Sequence, residues 1–257
     1  MAARTPTDNA KREAVPVDAA AGGVGSAVLH FPAPRHILGG LLLVIFLLVL
    51  AGIASNVLRF TFGYRSALGF INLFDLDHEA NIPTWFSSLL LYSISILLVL
   101  ITMLVTTSRG RGRWHWAALA LIFVMLSLDE AVSIHERTIV PIRNTFGLSG
   151  ALYFAWVVPA AILLLVFALS YLPFVLALPR RSRWRFVLAG TVYVSGALGV
   201  EMIGGAYASA HGQNNHVYAL ITSGEETLEM IGLAIFIYAL ADYIRLNFRK
   251  LTFSFST

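Results

Sequence analysis

The sequence predicts an all-α integral membrane protein: a six-transmembrane-helix bundle with both termini cytoplasmic and a short disordered N-terminal tail. Three observations carry this expectation. Hydrophobic residues fill 58% of the 257 positions and charged residues only 12%, against about a quarter charged in an average soluble domain. The apolar residues fall into runs of about 20, the length needed to cross roughly 30 Å of hydrocarbon. Lys and Arg gather in alternate connections, the bias that orients spans during insertion.

Residues 1–33 form the tail, 34–246 the membrane domain and 247–257 a cytoplasmic C-terminal tail. The first run, 37–58, follows Arg4, Lys11, Arg12 and Arg35 and suits an uncleaved insertion signal. Residues 59–83 are aromatic but not continuously apolar (Phe60, Phe62, Tyr64, Phe70, Phe74), so they read as an interfacial segment. Its acidic stretch from Asp75 to Glu79 reads as a solvated turn. Pro83 marks the start of the second span, 84–106, because a proline loses nothing in a first helical turn. Arg109, Arg111 and Arg113 close that span, and Trp114 and Trp116 open the third, 114–134, as interface anchors.

The fourth span, 152–178, contains Pro159 and Pro173, which predict a kink or a ragged end. After Arg180, Arg181, Arg183 and Arg185 comes the fifth, 186–208. Its small residues Ser195, Gly199, Gly204 and Ala208 suit helix packing, while Gly204 and Gly205 leave space above Glu201 for another helix or for a ligand. The polar connection HGQNN leads to the sixth span, placed at 224–244 because Ser223 and Glu226 have capping-box spacing. Arg245, Arg249 and Lys250 follow.

The net charge of +4 sits beside apolar runs, which indicates orientation and anionic-lipid contact rather than nucleic-acid binding. The absence of cysteine excludes disulfides, thiolate metal sites and cysteine nucleophiles. The missing cysteine does not by itself identify the compartment; the spans and their charge bias give the expected localisation, a bacterial plasma (inner) membrane.

Ionisable groups within spans are costly and mark function by default. Counted at about 1.5 Å per residue from the cytoplasmic ends, Asp129, Glu201 and Glu229 share a layer roughly 22–24 Å up, with Glu130 and Glu226 near it. A shallower layer holds His135, Glu136 and Glu225, and with them Asp77, His78, Glu79, His211 and His216. Both face the periplasmic side. At about 100° per residue Asp129 and Glu136 differ by about 20° and line one stripe, with Ser133 between them. Like charges at one depth need a cation, protons held on the carboxyls, arginine partners or a water-filled cavity, and with few arginines nearby a bound cation is the economical explanation.

A divalent transition metal (Zn, Fe or Mn) is therefore expected, held by Asp129, Glu130, His135, Glu201 and Glu229. Glu136 and Glu226 would act as acid or base toward a metal-bound water, on a lipid-like or membrane-accessible substrate. The residue types resemble those of zinc-dependent membrane hydrolases of the alkaline ceramidase and adiponectin-receptor kind. Their H-x-x-x-H pair is absent, so no residue role carries over. Two other classes compete: a transporter or proton/cation pathway using the same carboxylates, and a non-catalytic subunit or assembly factor in which they only hold the bundle together. For Glu225 and Glu226 the alternative to a site role is plain first-turn helix capping.

Overall fold

The computed structural model describes residues 26–28, 33–78, 80–248 and 252–254. The chain divides into two units, residues 31–249 and residues 1–30 with 250–257. In the smaller unit β1 (Ser26–Val28) pairs antiparallel with β2 (Thr252–Ser254), Ser26 lying opposite Ser254. The rest of the two expected tails, and with it Arg249, Lys250 and also Glu79, lies outside the described residues.

The larger unit is helical. Its elements are α1 (Pro34–Phe60), α2 (Phe70–Phe74), α3 (Ile82–Thr107), α4 (Arg113–Val132), α5 (Ile134–Phe146), a 3-10 turn (Gly150–Leu152) and α6 (Val157–Ala177). There follow α7 (Arg180–Val194), a π-helical stretch (Ser195–Val200), α8 (Glu201–His211) and α9 (His216–Asn247). Among the described residues six helices are long and apolar enough to span a membrane: α1, α3, α4, α6, the continuous rod from α7 to α8, and α9. The expected six-helix membrane bundle is what the chain forms.

Most boundaries follow local chemistry. Pro83 is the second residue of α3, and the Asn81 side chain caps that helix by accepting the Thr84 N–H at 2.9 Å. The start of α9 corrects the expectation at Gly224. Asn215 is the cap, accepting the Tyr218 N–H at 3.0 Å, while Ser223 sits mid-helix and donates to the Ala219 carbonyl at 2.7 Å. The S-x-x-E spacing therefore caps nothing, and Glu225 and Glu226 are interior residues rather than first-turn acids. In the third span, Ser133 adopts a left-handed conformation (φ 53°, ψ 50°) that ends α4 and starts α5. The fourth span begins at Val157, so Pro159 falls in its first turn and only Pro173 lies well inside it.

Around α9 the bundle is organised, since it packs against α1, α3, α7 and α8 and buries Met230, Leu233, Ala234, Ile237, Leu240 and Ile244. The pair α3 and α4 is pinned by reciprocal bonds: Ser88 Oγ donates to the Ser127 carbonyl and Ser127 Oγ to the Ser88 carbonyl, each at 2.9 Å. At the arginine-rich end, Asp242 is only 2% exposed and is bound by Arg185, and by Arg181 and Arg245 at 3.4 Å each. Next to it Trp116 packs on Phe174, Phe186 and Tyr243, and Phe236 on Phe186 and Phe123.

The approach of α7 to α9 is close enough to need glycine. A Cβ on Gly232 would stand 2.6 Å from the Tyr193 backbone nitrogen, and one on Gly196 2.9 Å from the Glu225 carbonyl. Gly232→Ala should therefore cost about 1–3 kcal/mol by overpacking against backbone. Gly39→Ala, which meets nothing within 4 Å, should leave stability unchanged or slightly raised. Thermal unfolding of the two variants in detergent checks this contrast.

Candidate functional site

Breaking a helix at Ser133 exposes the first N–H groups of α5, which need acceptors. Ser133 supplies no side-chain cap. Asp129, one turn earlier on α4, does so instead: Oδ1 accepts the His135 backbone N–H at 2.9 Å and Oδ2 lies 2.9 Å from His135 Nδ1. With Asp129 ionised, Nδ1 carries the proton of this bond and Nε2 is the basic nitrogen. The carboxylate thus fixes both the backbone and the ring of one histidine.

The His135 ring packs on Trp156, with centroids 4.8 Å apart, and Trp156 Nε1 donates to Glu201 Oε1 at 2.7 Å. Glu201 opens α8 directly after the π-helical stretch, and its carboxyl meets that of Glu225 on α9 in hydrogen-bonding contact. The pairing follows from a helical hairpin. Glu201 lies ten residues before His211 and Glu225 nine after His216, so each is about 14–15 Å from the turn that joins them. An ionised carboxylate only accepts, so a bond between two carboxyls requires a proton shared between them.

Other expected residues gather around these two pairs. Tyr193 lies in the field of Glu229, Glu130, Glu226 and Asp129, and the Glu229 side chain borders Gly196. Glu136 is exposed on α5 and acts on Glu201 through its charge. The proposed stripe of Asp129 with Glu136 does not form, because the break at Ser133 interrupts the helix that would have aligned them. The space that Gly204 and Gly205 leave takes neighbouring elements, the first of the two occupants expected there: Gly205 approaches Phe154 and the carbonyls of residues 150 and 151, and Gly204 approaches Tyr218 and Ile221 of α9.

A family model described as "Domain of unknown function (DUF8692)" matches residues 21–243. The chain belongs to that family. No curated protein and no solved structure matches it.

Among the described residues no three His, Asp or Glu side chains are placed to hold a metal ion. His211 stacks on Tyr207, and His216 packs on Phe60 with its Nε2 3.4 Å from Thr61 Oγ1. Two nearby arginines are engaged locally: Arg143 lies 4.2 Å over the Tyr153 ring and Arg137 donates to the Val132 carbonyl. Trp156, Tyr193 and the Asp242 cluster were not singled out from sequence. For Asp242 a signal existed, an acid three residues before Arg245 at the end of an apolar span.

The acidic stretch that begins at Asp75 departs from the solvated turn expected of it. Asp75 is 1% exposed and ion-paired with Arg59 at 2.8 Å, and the Asn81 amide ties the backbone by donating to the carbonyls of Asp75 and His78. Asp77 reaches α9, where Tyr218 and Thr222 bond to it. Burial, aided by the neighbouring Asp75 charge, pushes the Asp77 carboxyl up from the usual carboxylate range to about 6. Its contribution to stability is full below the unfolded-state value near 4 and is lost as pH rises through about 6, since only the folded state keeps the proton between them. Wild type minus Asp77→Asn thermal midpoints, taken from pH 4 to pH 7, should fall as pH rises. A flat difference curve would contradict the assignment.

Proposed function

We propose that this protein is a membrane-embedded acid–base enzyme acting on a lipid-like or membrane-accessible substrate. The observation that carries the reading is Trp156, which packs on His135 and donates to Glu201, joining a carboxylate-oriented histidine to a proton-sharing carboxyl pair. In this reading His135 is the base, held in one tautomer by Asp129, and the Glu201–Glu225 pair supplies or receives the proton. Glu130, Glu226 and Glu229 set the field, with the exposed Glu136 adding its charge. The aromatic layer of Phe123, Phe186, Phe236 and Trp116, backed by Asp242 and its arginines, favours a site closed on one side over a through-path.

Incubating the purified protein in nanodiscs of membrane lipid extract, followed by lipid mass spectrometry, tests it. Wild type should convert a lipid species, and His135→Gln should do so at least about 100-fold more slowly, the usual loss when a general base is removed. Identical lipid profiles for the two would contradict it. Stoichiometric zinc, iron or manganese in the purified protein would instead recast His135 and the carboxyls as ligands.

The orientation we infer puts both ends in the cytoplasm of a bacterial plasma membrane and the cluster toward the periplasm. It rests on the arginines at 109–113 and 180–185 against the uncharged turn 212–215. Because the chain has no cysteine, Gln213→Cys should react with an impermeant maleimide on intact cells. Arg111→Cys should react only after permeabilisation, and the reverse pattern would invert the assignment.

A further inference from the structure

The end of the bundle formed by residues 59–78 and the 212–215 turn carries a second polar feature, separate from the acid cluster. An open pocket of about 370 Å³ is lined by Arg59, Tyr64, Arg65, Asn72, His78 and Asn214. Arg59 is already neutralised, bonded to Asp75 at 2.8 Å and to Asn214 Oδ1 at 3.2 Å. Arg65 is exposed and forms no ion pair among the described residues. His78 is also exposed, and its Nε2 lies 3.8 Å from Asp75. The pocket therefore offers a guanidinium without an ion-pair partner among the described residues, an imidazole, amide groups and a phenol hydroxyl, a donor set suited to an oxyanion.

Beside this pocket the chain exposes apolar side chains. Phe62, Tyr64, Leu68 and Leu73 are all exposed, Leu68 completely. The backbone holds Leu68 out at a cost: Ala67, Leu68 and Gly69 are consecutive left-handed residues, with φ of 46°, 58° and 91°, and the two that are not glycine are disfavoured there. Exposed Phe, Tyr and Leu flanking a cationic pocket at the end of a spanning helix form an amphipathic interfacial device. It fits a ligand with its anion at the headgroup level and its apolar part below.

We propose that this pocket binds the phosphate headgroup of an anionic phospholipid in the leaflet on that side, with Leu68 and Phe62 inserted among the acyl chains. Arg65 is the principal contact, and Arg59 is held in place by Asp75 to complete the rim. The proposal does not depend on the acid–base reading of the cluster.

The test uses full-length protein in nanodiscs of phosphatidylcholine containing phosphatidylglycerol, with the lipid retained after detergent release counted by native mass spectrometry. Arg65→Gln should weaken phosphatidylglycerol retention about fivefold, the effect of one arginine near an anionic surface. Arg65→Lys should retain most of it, and Leu68→Ser should also weaken it. Unchanged thermal midpoints in these variants exclude a folding effect, as expected of exposed positions. Equal retention by wild type and Arg65→Gln would overturn the proposal. Wild type that binds inorganic phosphate yet retains no more phosphatidylglycerol than phosphatidylcholine would also overturn it, assigning the pocket to the free ion.

Discussion

The contact on which the site depends is the two-point grip of Asp129 on His135. A helix that breaks near the edge of the hydrocarbon leaves N–H groups where water is scarce, and an unsatisfied donor there costs several kcal/mol. Asp129 answers that demand with one oxygen and spends the other on the imidazole. The break, the cap and the orientation of the histidine are therefore one structural event. Because α5 then turns away from α4, His135 meets Trp156, and through it Glu201.

The opposite wall of the site is set by packing rather than by capping. Gly196 and Gly232 let the rod of α7 and α8 lie with its backbone against α9. The register of that contact, together with the short turn at 212–215, places Glu201 level with Glu225. A π-helical stretch immediately precedes Glu201. One extra residue per turn rotates everything after it, and such insertions concentrate at functional positions. Polar groups fill the bundle toward this end, whereas aromatic rings and the Asp242–arginine knot fill the other.

What the sequence made legible was what depends on hydrophobic length and on charge beside it. The six spans and the proline start of α3 could be read that way, whereas Glu201 and Glu225, which meet on α8 and α9, were expected in separate layers, with Glu201 level with Glu229. The start of α9 was misread because two capping signals compete, Asn215 and Ser223, and only the one next to a turn is used. The break at Ser133 had no local signal: its neighbours Val132 and Ile134 suit a helix, and the left-handed residue is held by a carboxylate four positions away. An unbroken third helix would have set Glu136 beside Asp129. Trp156 was invisible for another reason, since its role comes from two partners distant in sequence, His135 and Glu201.

If Asp129, His135, Trp156, Glu201 and Glu225 act as one unit, the protonation of His135 must sense Glu201 across the tryptophan. Nitrogen-15 NMR of labelled imidazole, followed over pH in wild type, Asp129→Asn and Glu201→Gln, measures this directly. Loss of either carboxyl should lower the His135 titration midpoint, because a nearby negative charge favours the imidazolium, and Asp129→Asn should lower it more. A midpoint that moves with Asp129→Asn but stays fixed in Glu201→Gln would show a helix cap beside an unrelated carboxyl pair, and would contradict the account of a single acid–base site.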